Sequence, residues 1–267
     1  MTPSRVPQPR TPADRVAPAP GAAAQLSAPL AALFPPGVLA AELQGDPLGQ
    51  PDDARTLTRA RELLNDAEWH SIAECSAARI RDFTAGRLCA HRALQGLGID
   101  GFTLLPAPDR QPCWPEGISG SITHTEAYAA AVIGRLGRVG SLGLDCERIG
   151  AVAQPLWDQI CTPAELGQFV HWPAADRDRA ATLCFVAKEA FYKAQFALCA
   201  ELLEFDAVRI DLREASLPEG AFRVHPLRTL RVQGAAGERA PSLAWTGRFR
   251  CHAGYVSAGI ALPARIE

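Results

Sequence analysis

The sequence is poor in the features that mark an exported or membrane-borne protein. No stretch approaches the roughly 18 consecutive apolar residues a spanning helix needs, and the N-terminus carries no apolar run of the kind a secretory signal requires. The eight cysteines include no C-x-x-C pair, and several fall within apolar patterns. They read as reduced, mostly buried thiols of a cytoplasmic protein rather than a disulfide framework or a zinc site. Neither sign of charge dominates: 27 Lys and Arg stand against 29 Asp and Glu, a net charge of −2. That excludes the global basic field on which non-specific nucleic-acid binding depends, so a polyanionic ligand must be met by local basic groups. No internal repeat is visible, and no Ser-His-Asp or Cys-His arrangement supplies a nucleophile.

What remains is an ordinary globular composition, 267 residues with 48% apolar, enough for one large domain or two modest ones. Residues 1–27 are rich in Pro and Ala and hold no aromatic residue, which predicts a disordered tail with the fold starting near residue 28. Ile72, Cys75, Ile80, Phe83, Leu88, Leu94 and Leu97 recur at helical spacing. They predict a long helix over 68–97, with Gly86 as the place for a break and Gly98 as the stop. A loop with four prolines follows over 106–117, then strand, turn and strand over 119–133 and a short strand over 141–147. Thr162-Pro163-Ala164-Glu165 is a capping box with proline at the first helical position. A further helix is expected over 176–200, and strands over 222–232, 243–250 and 255–262. The order of elements predicts an α+β fold in two halves of similar make-up.

The chemistry concentrates in two places. In Leu142-Gly143-Leu144-Asp145-Cys146-Glu147 the period of two puts Asp145 and Glu147 on one face of a strand. Its apolar approach places the pair near the core, where two carboxylates repel unless a cation neutralises them; oxygen donors suit a hard divalent ion such as Mg²⁺. On the later helix, Phe185, Glu189 and Lys193 are spaced four apart, so Glu189 and Lys193 share a face and Lys188 points about a quarter-turn away. If that face meets the strand end, three carboxylates and a lysine surround one point, as a metal-bound pyrophosphate requires. Taken singly, each motif favours the plainer reading: Glu189 and Lys193 as a helix-surface pair worth about 0.3–0.5 kcal/mol, and Asp145 as the end of a strand.

Together, Gly143-Leu144-Asp145 and Phe185-Val186-Ala187-Lys188-Glu189-Ala190-Phe191-Tyr192-Lys193 resemble, in order and residue type, the two signature motifs of the 4′-phosphopantetheinyl transferase superfamily. Arg110-Gln111-Pro112-Cys113-Trp114-Pro115, Gly120-Ser121-Ile122-Thr123-His124-Thr125 and Phe83-Thr84-Ala85-Gly86-Arg87-Leu88-Cys89-Ala90 extend the likeness to the branch of enterobactin synthetase component D and the surfactin-type enzymes, over residues 28–262. Val186 departs from the small polar residue usual there, and Thr123 stands where serine is commoner.

The resemblance implies two α/β halves, residues 28–147 and 148–267, related by a pseudo-twofold with a cofactor cleft between them, so that one chain acts as a monomer. It implies that Asp145, Glu147 and Glu189 hold Mg²⁺, or Mn²⁺, against the coenzyme A pyrophosphate. Lys193 and Lys188 fall on the motif lysines, Thr123 and His124 on the step that touches coenzyme A phosphates, Arg110 on the group that holds the 3′-phosphate, and Arg87 and Arg92 on basic positions near the cofactor. The implied reaction moves phosphopantetheine from coenzyme A to a serine of an apo acyl, peptidyl or aryl carrier protein. The serine proton passes to Glu189 or a metal-bound water, Asp145 and Lys193 assist, and adenosine 3′,5′-bisphosphate leaves. The pathway served, such as siderophore biosynthesis or other secondary metabolism, stays open. Two other readings stand beside it: a catalytically inactive module that binds coenzyme A or carrier proteins, and a Mg²⁺-dependent phosphohydrolase.

Overall fold

The computed structural model describes residues 23–48, 53–213, 215, 217–231 and 245–263. The tail expected over 1–27 lies outside them except for its last five residues, which include a two-residue strand, β1 (Gln25–Leu26). There follow α1 (Ala28–Ala31), β2 (Leu39–Gln44), α2 (Asp53–Leu63), α3 (Asp66–His70), α4 (Ala77–Gly96), β3 (Ile118–Thr125) and β4 (Tyr128–Arg135). The chain then runs through β5 (Ser141–Arg148), α5 (Trp157–Ile160), α6 (Pro163–Phe169), α7 (Arg177–Cys199), β6 (Val208–Asp211), β7 (Glu219–Pro226), β8 (Trp245–His252) and β9 (Tyr255–Leu262).

The strands form two antiparallel sheets, ordered β1-β2-β4-β3 and β5-β9-β8-β7-β6. This is the α+β class expected. Each sheet carries one long helix: α4 packs on β2, β4 and β3, and α7 on β5 and β9. Both halves also share a wiring. The first strand (β2 or β5) is followed by the long helix and later by a hairpin, β3–β4 directly or β8–β9 after β6 and β7, whose second strand pairs with the first. Because β5 pairs with β9, sheet membership divides the chain between Arg135 and Ser141, ahead of the division after residue 147 drawn from motif placement.

The helix expected over 68–97 is two helices. Asn65 caps α3 through a reciprocal box with Glu68; the Ser71 hydroxyl then bonds back to the Glu68 carbonyl at 2.7 Å. Ser76 caps α4 afresh. Side chains that compete for backbone groups end one helix and start the next. Gly86 does not break α4. It lies inside the helix where a Cβ would come within 2.8 Å of Ile122 Cγ2, so its lack of a side chain brings α4 down onto β3. At the C-terminus Gly98 takes a left-handed φ of 77°, as the stop signal predicts.

Strand β4 is buried on both faces. Ala129, Ala131 and Ile133 meet Cys89, Ala93 and Leu94 of α4, while Tyr128, Ala130 and Val132 pack with Phe34, Leu142 and Leu144 toward the second sheet. A separate core surrounds α7, where Leu183, Ala187, Phe191 and Ala194 pack with Phe222, Phe249 and Ile260. Five of the eight cysteines are buried, and all eight are free. Among the described residues no helix is long and apolar enough to cross a membrane.

Candidate active site

The two sheets meet at β3 and β5, and the contact is made by side chains. Alternate residues of β3 present hydroxyls to β5: Ser121 Oγ accepts the Leu144 N–H at 3.0 Å, and Thr123 Oγ1 accepts the Cys146 N–H at 3.2 Å. Thr123 donates in turn to Asp145 Oδ1 at 2.9 Å, and Thr125 donates to Glu147 Oε2 at 2.9 Å. The period of two that puts Asp145 and Glu147 on one face thus meets the same period in the facing strand.

Helix α7 seats against this junction because Gly143 has no side chain; a Cβ there would stand 1.8 Å from the Ala190 carbonyl oxygen. The close approach delivers Lys193, whose ammonium donates to Asp145 Oδ1 at 2.8 Å, the Leu144 carbonyl at 3.1 Å and the Ile122 carbonyl at 3.3 Å. Glu189 lies one turn earlier on the same helix, half-buried. Its carboxyl is pushed above the usual range by burial and then by the charges of Asp145 and Glu147, against the pull of Lys193. Burial and Asp145 likewise raise Glu147, partly offset by the Thr125 hydroxyl and Lys193. Mutual repulsion of this kind would be relieved by a bound cation.

The expected three-carboxylate cage is nevertheless not closed. Among the described residues no three of His, Cys, Asp and Glu stand close enough together to hold an ion unaided. Mg²⁺ is commonly held by one or two carboxylates together with substrate phosphates and water. The all-oxygen donor set of Asp145, Glu147 and Glu189 therefore fits a hard divalent ion that arrives with a phosphorylated ligand.

A cavity of about 830 Å³ opens beside the cluster. Its walls include Glu189, Lys193 and His124, the arginines Arg87 and Arg110, and the apolar Phe196, Leu198 and Leu202. Burial lowers the His124 pKa, with Asp82 opposing, and His124 Nδ1 lies 3.7 Å from Asp82. Arg87 is buried, its guanidinium 4.1 Å from the Phe83 ring centroid, and desolvation lowers its pKa to about 10. Arg110 sits at the exposed tip of the proline loop with a φ of 71°.

Five sequence-derived site residues are absent from the cavity walls: Asp145 and Glu147, whose carboxylates are bonded by Lys193, Thr123 and Thr125, and Lys188, Arg92 and Thr123. Lys188 is wholly buried and bonds Glu165 at 2.9 Å, the Ile160 carbonyl at 2.8 Å and the Phe205 carbonyl at 2.6 Å. It is sequestered within the second half, where Glu165 also closes the capping box of α6, and neither residue lines the cavity. Arg92 is exposed on α4 and does not line the cavity. Thr123 is buried with its hydroxyl spent between β3 and β5, so it positions Asp145 instead of facing the cavity. Arg79, Asp82 and Tyr192 line the cavity and were not singled out from sequence. Arg79, Asp82, Gly86 and Arg87 recur at helical spacing, the signal that places them on one face of α4.

Residues 67–134 match the family described as the 4′-phosphopantetheinyl transferase N-terminal domain, and residues 141–242 the 4′-phosphopantetheinyl transferase superfamily. The chain is similar to the 4′-phosphopantetheinyl transferase Npt of Nocardia iowensis, 32% identical over 233 residues, 86% of this chain and 97% of that one. It is 33% identical over 199 residues to the 4′-phosphopantetheinyl transferase PptT of Mycobacterium tuberculosis, 72% of this chain and 82% of the relative. It is also 35% identical over 138 residues to enterobactin synthase component D of Escherichia coli K12, 50% of this chain and 63% of that protein.

Proposed function

The chain belongs to the 4′-phosphopantetheinyl transferase superfamily and is a transferase, and from that premise we propose that it moves phosphopantetheine from coenzyme A to a serine of an apo carrier protein. The observation that carries this reading is Lys193 of α7, which is paired with Asp145 of β5 at 2.8 Å and lines, together with Glu189, an 830 Å³ cavity whose walls also carry Arg87, Arg110 and His124.

In this reading Arg87 and Arg110 meet the phosphate of the nucleotide end, and His124 meets a coenzyme A phosphate. Asp145, Glu147 and Glu189 would hold a divalent ion together with the pyrophosphate, and that ion would supply neutralisation of its charge. Lys193 adds a fixed positive charge beside the transferring phosphoryl group. Glu189, on the helix face it shares with Lys193, or a metal-bound water takes the proton of the carrier serine. The serine oxygen bonds to the β-phosphorus, the bridging phosphorus–oxygen bond breaks, and adenosine 3′,5′-bisphosphate departs. The apolar wall of Phe196, Leu198 and Leu202 suits the uncharged pantetheine arm. Both halves of the site come from one chain, so a monomer suffices, acting in the cytoplasm where coenzyme A and apo carriers meet.

Incubation with coenzyme A, Mg²⁺ and apo peptidyl, aryl and acyl carrier proteins, read as carrier mass, tests the proposal. A gain of one phosphopantetheine arm, abolished by Glu189→Gln, is the expected result. No gain with any carrier class, despite coenzyme A binding, would leave an inert binding module.

A further inference from the structure

One buried charged group lies outside the chemistry above. Glu68, on the short helix α3, is 0% exposed. Its Oε1 accepts two hydrogen bonds, from the Leu104 N–H at 2.8 Å and from His91 Nε2 at 2.8 Å. Its Oε2 closes the capping box by accepting the Asn65 N–H at 3.4 Å. A carboxylate removed from water needs such partners, and this one has drawn them from three separate segments.

The Leu104 peptide is held from both sides. Its N–H goes to Glu68, and its carbonyl accepts Arg87 Nε at 2.7 Å. Arg87 is itself 5% exposed and lines the cavity. The charge of Glu68 also reaches Arg87, opposing the desolvation that lowers the pKa of the guanidinium.

Leu104 is the root of the strap that forms the outer cavity wall. Beyond it the chain folds back on itself: the Cys113 N–H bonds the Leu105 carbonyl at 2.8 Å, and the Ala107 N–H bonds the Gln111 carbonyl at 2.7 Å. The Arg110 N–H bonds the Ala107 carbonyl at 2.8 Å, which sets Arg110 at the tip. On the return leg Trp114 lies against Gly120 of β3, where a Cβ would come within 2.6 Å of its ring. The strap is thus pinned at one end by an aromatic ring over a glycine and at the other by a single peptide between two buried charges.

We infer that Glu68, braced by His91, is a positioning residue for the anion-binding wall of the cavity, holding the Leu104 peptide so that Arg87 and the strap bearing Arg110 stand in register. Neither Glu68 nor His91 lines the cavity, so the effect is transmitted through Leu104. The inference rests on the reading of that cavity as the coenzyme A site. It predicts that loss of the Glu68 charge weakens the nucleotide end of the ligand and spares the chemistry at Asp145, Glu189 and Lys193.

The test is a double-mutant cycle read by calorimetric titration with adenosine 3′,5′-bisphosphate, on Glu68→Gln, Arg87→Ala and the pair. Glu68→Gln keeps the volume and an acceptor for Leu104. It is expected to raise the Kd about three- to tenfold, and Arg87→Ala to cost correspondingly less in its background than in the wild type, because residues in one hydrogen-bonded network couple. In the transfer assay the loss should appear in KM for coenzyme A and not in kcat. If Glu68→Gln does not fold, His91→Leu removes the brace at its partly exposed end and gives the same readouts. Additive effects, or a lowered melting temperature with unchanged Kd and KM, would overturn the inference by making Glu68 only a stabilising residue. Failure of the wild-type protein to bind the nucleotide would instead overturn the reading of the cavity.

Discussion

Lys193 Nζ on α7 lies 2.8 Å from Asp145 Oδ1 on β5, and the same oxygen accepts the Thr123 hydroxyl of β3 at 2.9 Å. One carboxylate oxygen therefore joins the helix of the second half to strands of both sheets. The ammonium is held by three oxygens and lines the cavity.

Lys193→Met removes that charge while keeping most of the stem. Transfer at saturating coenzyme A should slow by about 10²–10³-fold, the scale on which removal of one preorganised charge-stabilising donor is felt. Single-turnover carrier modification measures it, and a wild-type rate would remove Lys193 from the chemistry.

Gly143→Ala tests how α7 is seated. The new Cβ would stand 1.8 Å from the Ala190 carbonyl oxygen, backbone that cannot turn aside. Overpacking of this kind costs about 1–3 kcal/mol or more, and displacement of Glu189 and Lys193 by an ångström suffices for about a hundredfold in rate. Urea unfolding and kcat should fall together; an unperturbed kcat would show that the helix position is not critical.

Lys188 is expected to act on stability. Its ion pair with Glu165 is 0% and 1% exposed at the two side chains. Lys188→Met leaves the carboxylate buried without its cation and should cost about 3–5 kcal/mol by denaturant unfolding. The double change Lys188→Met with Glu165→Gln should recover part of that. Weakened coenzyme A binding at unchanged stability would contradict the assignment.

Glu68 gives a pH signature. Desolvation pushes its carboxyl up, but the hydrogen bond and charge of His91, with the Leu104 and Asn65 N–H groups, outweigh it and hold the folded pKa below the ordinary 4.5. The unfolded chain then takes up the proton first. Stability from Glu68 is complete above about 4.5 and is lost as pH falls through the lower folded value. Urea midpoints for wild type and Glu68→Gln should converge as the pH drops below 4.5; a constant gap would exclude the ionised clamp.

Much of this site is legible in the chain, and the parts that are not have physical reasons. Period two puts Asp145 and Glu147 together, and a spacing of four puts Glu189 and Lys193 together, because both rules act within one element. Lys188 illustrates the limit. Helical phase says that it points away from Glu189 but not that Glu165, distant in sequence, waits for it in the core. The hydroxyls of Ser121, Thr123 and Thr125 gain meaning only once β5 lies opposite. Gly86 reads locally as a helix breaker and proves to be a contact point, since a glycine's role depends on what approaches it. Helix α2 and strands β2 and β6 went unassigned, the first largely charged and the second rich in alanine, so their burial comes from neighbours more than from their own pattern.

The most direct test follows both products at once. With coenzyme A, Mg²⁺ and an apo carrier protein, carrier mass and free adenosine 3′,5′-bisphosphate are measured in the same time course, with a control lacking carrier. The account predicts one nucleotide released per phosphopantetheine arm gained, none without carrier, and neither product with Glu189→Gln. Nucleotide or phosphate released at the same rate without carrier would contradict it and make the enzyme a hydrolase.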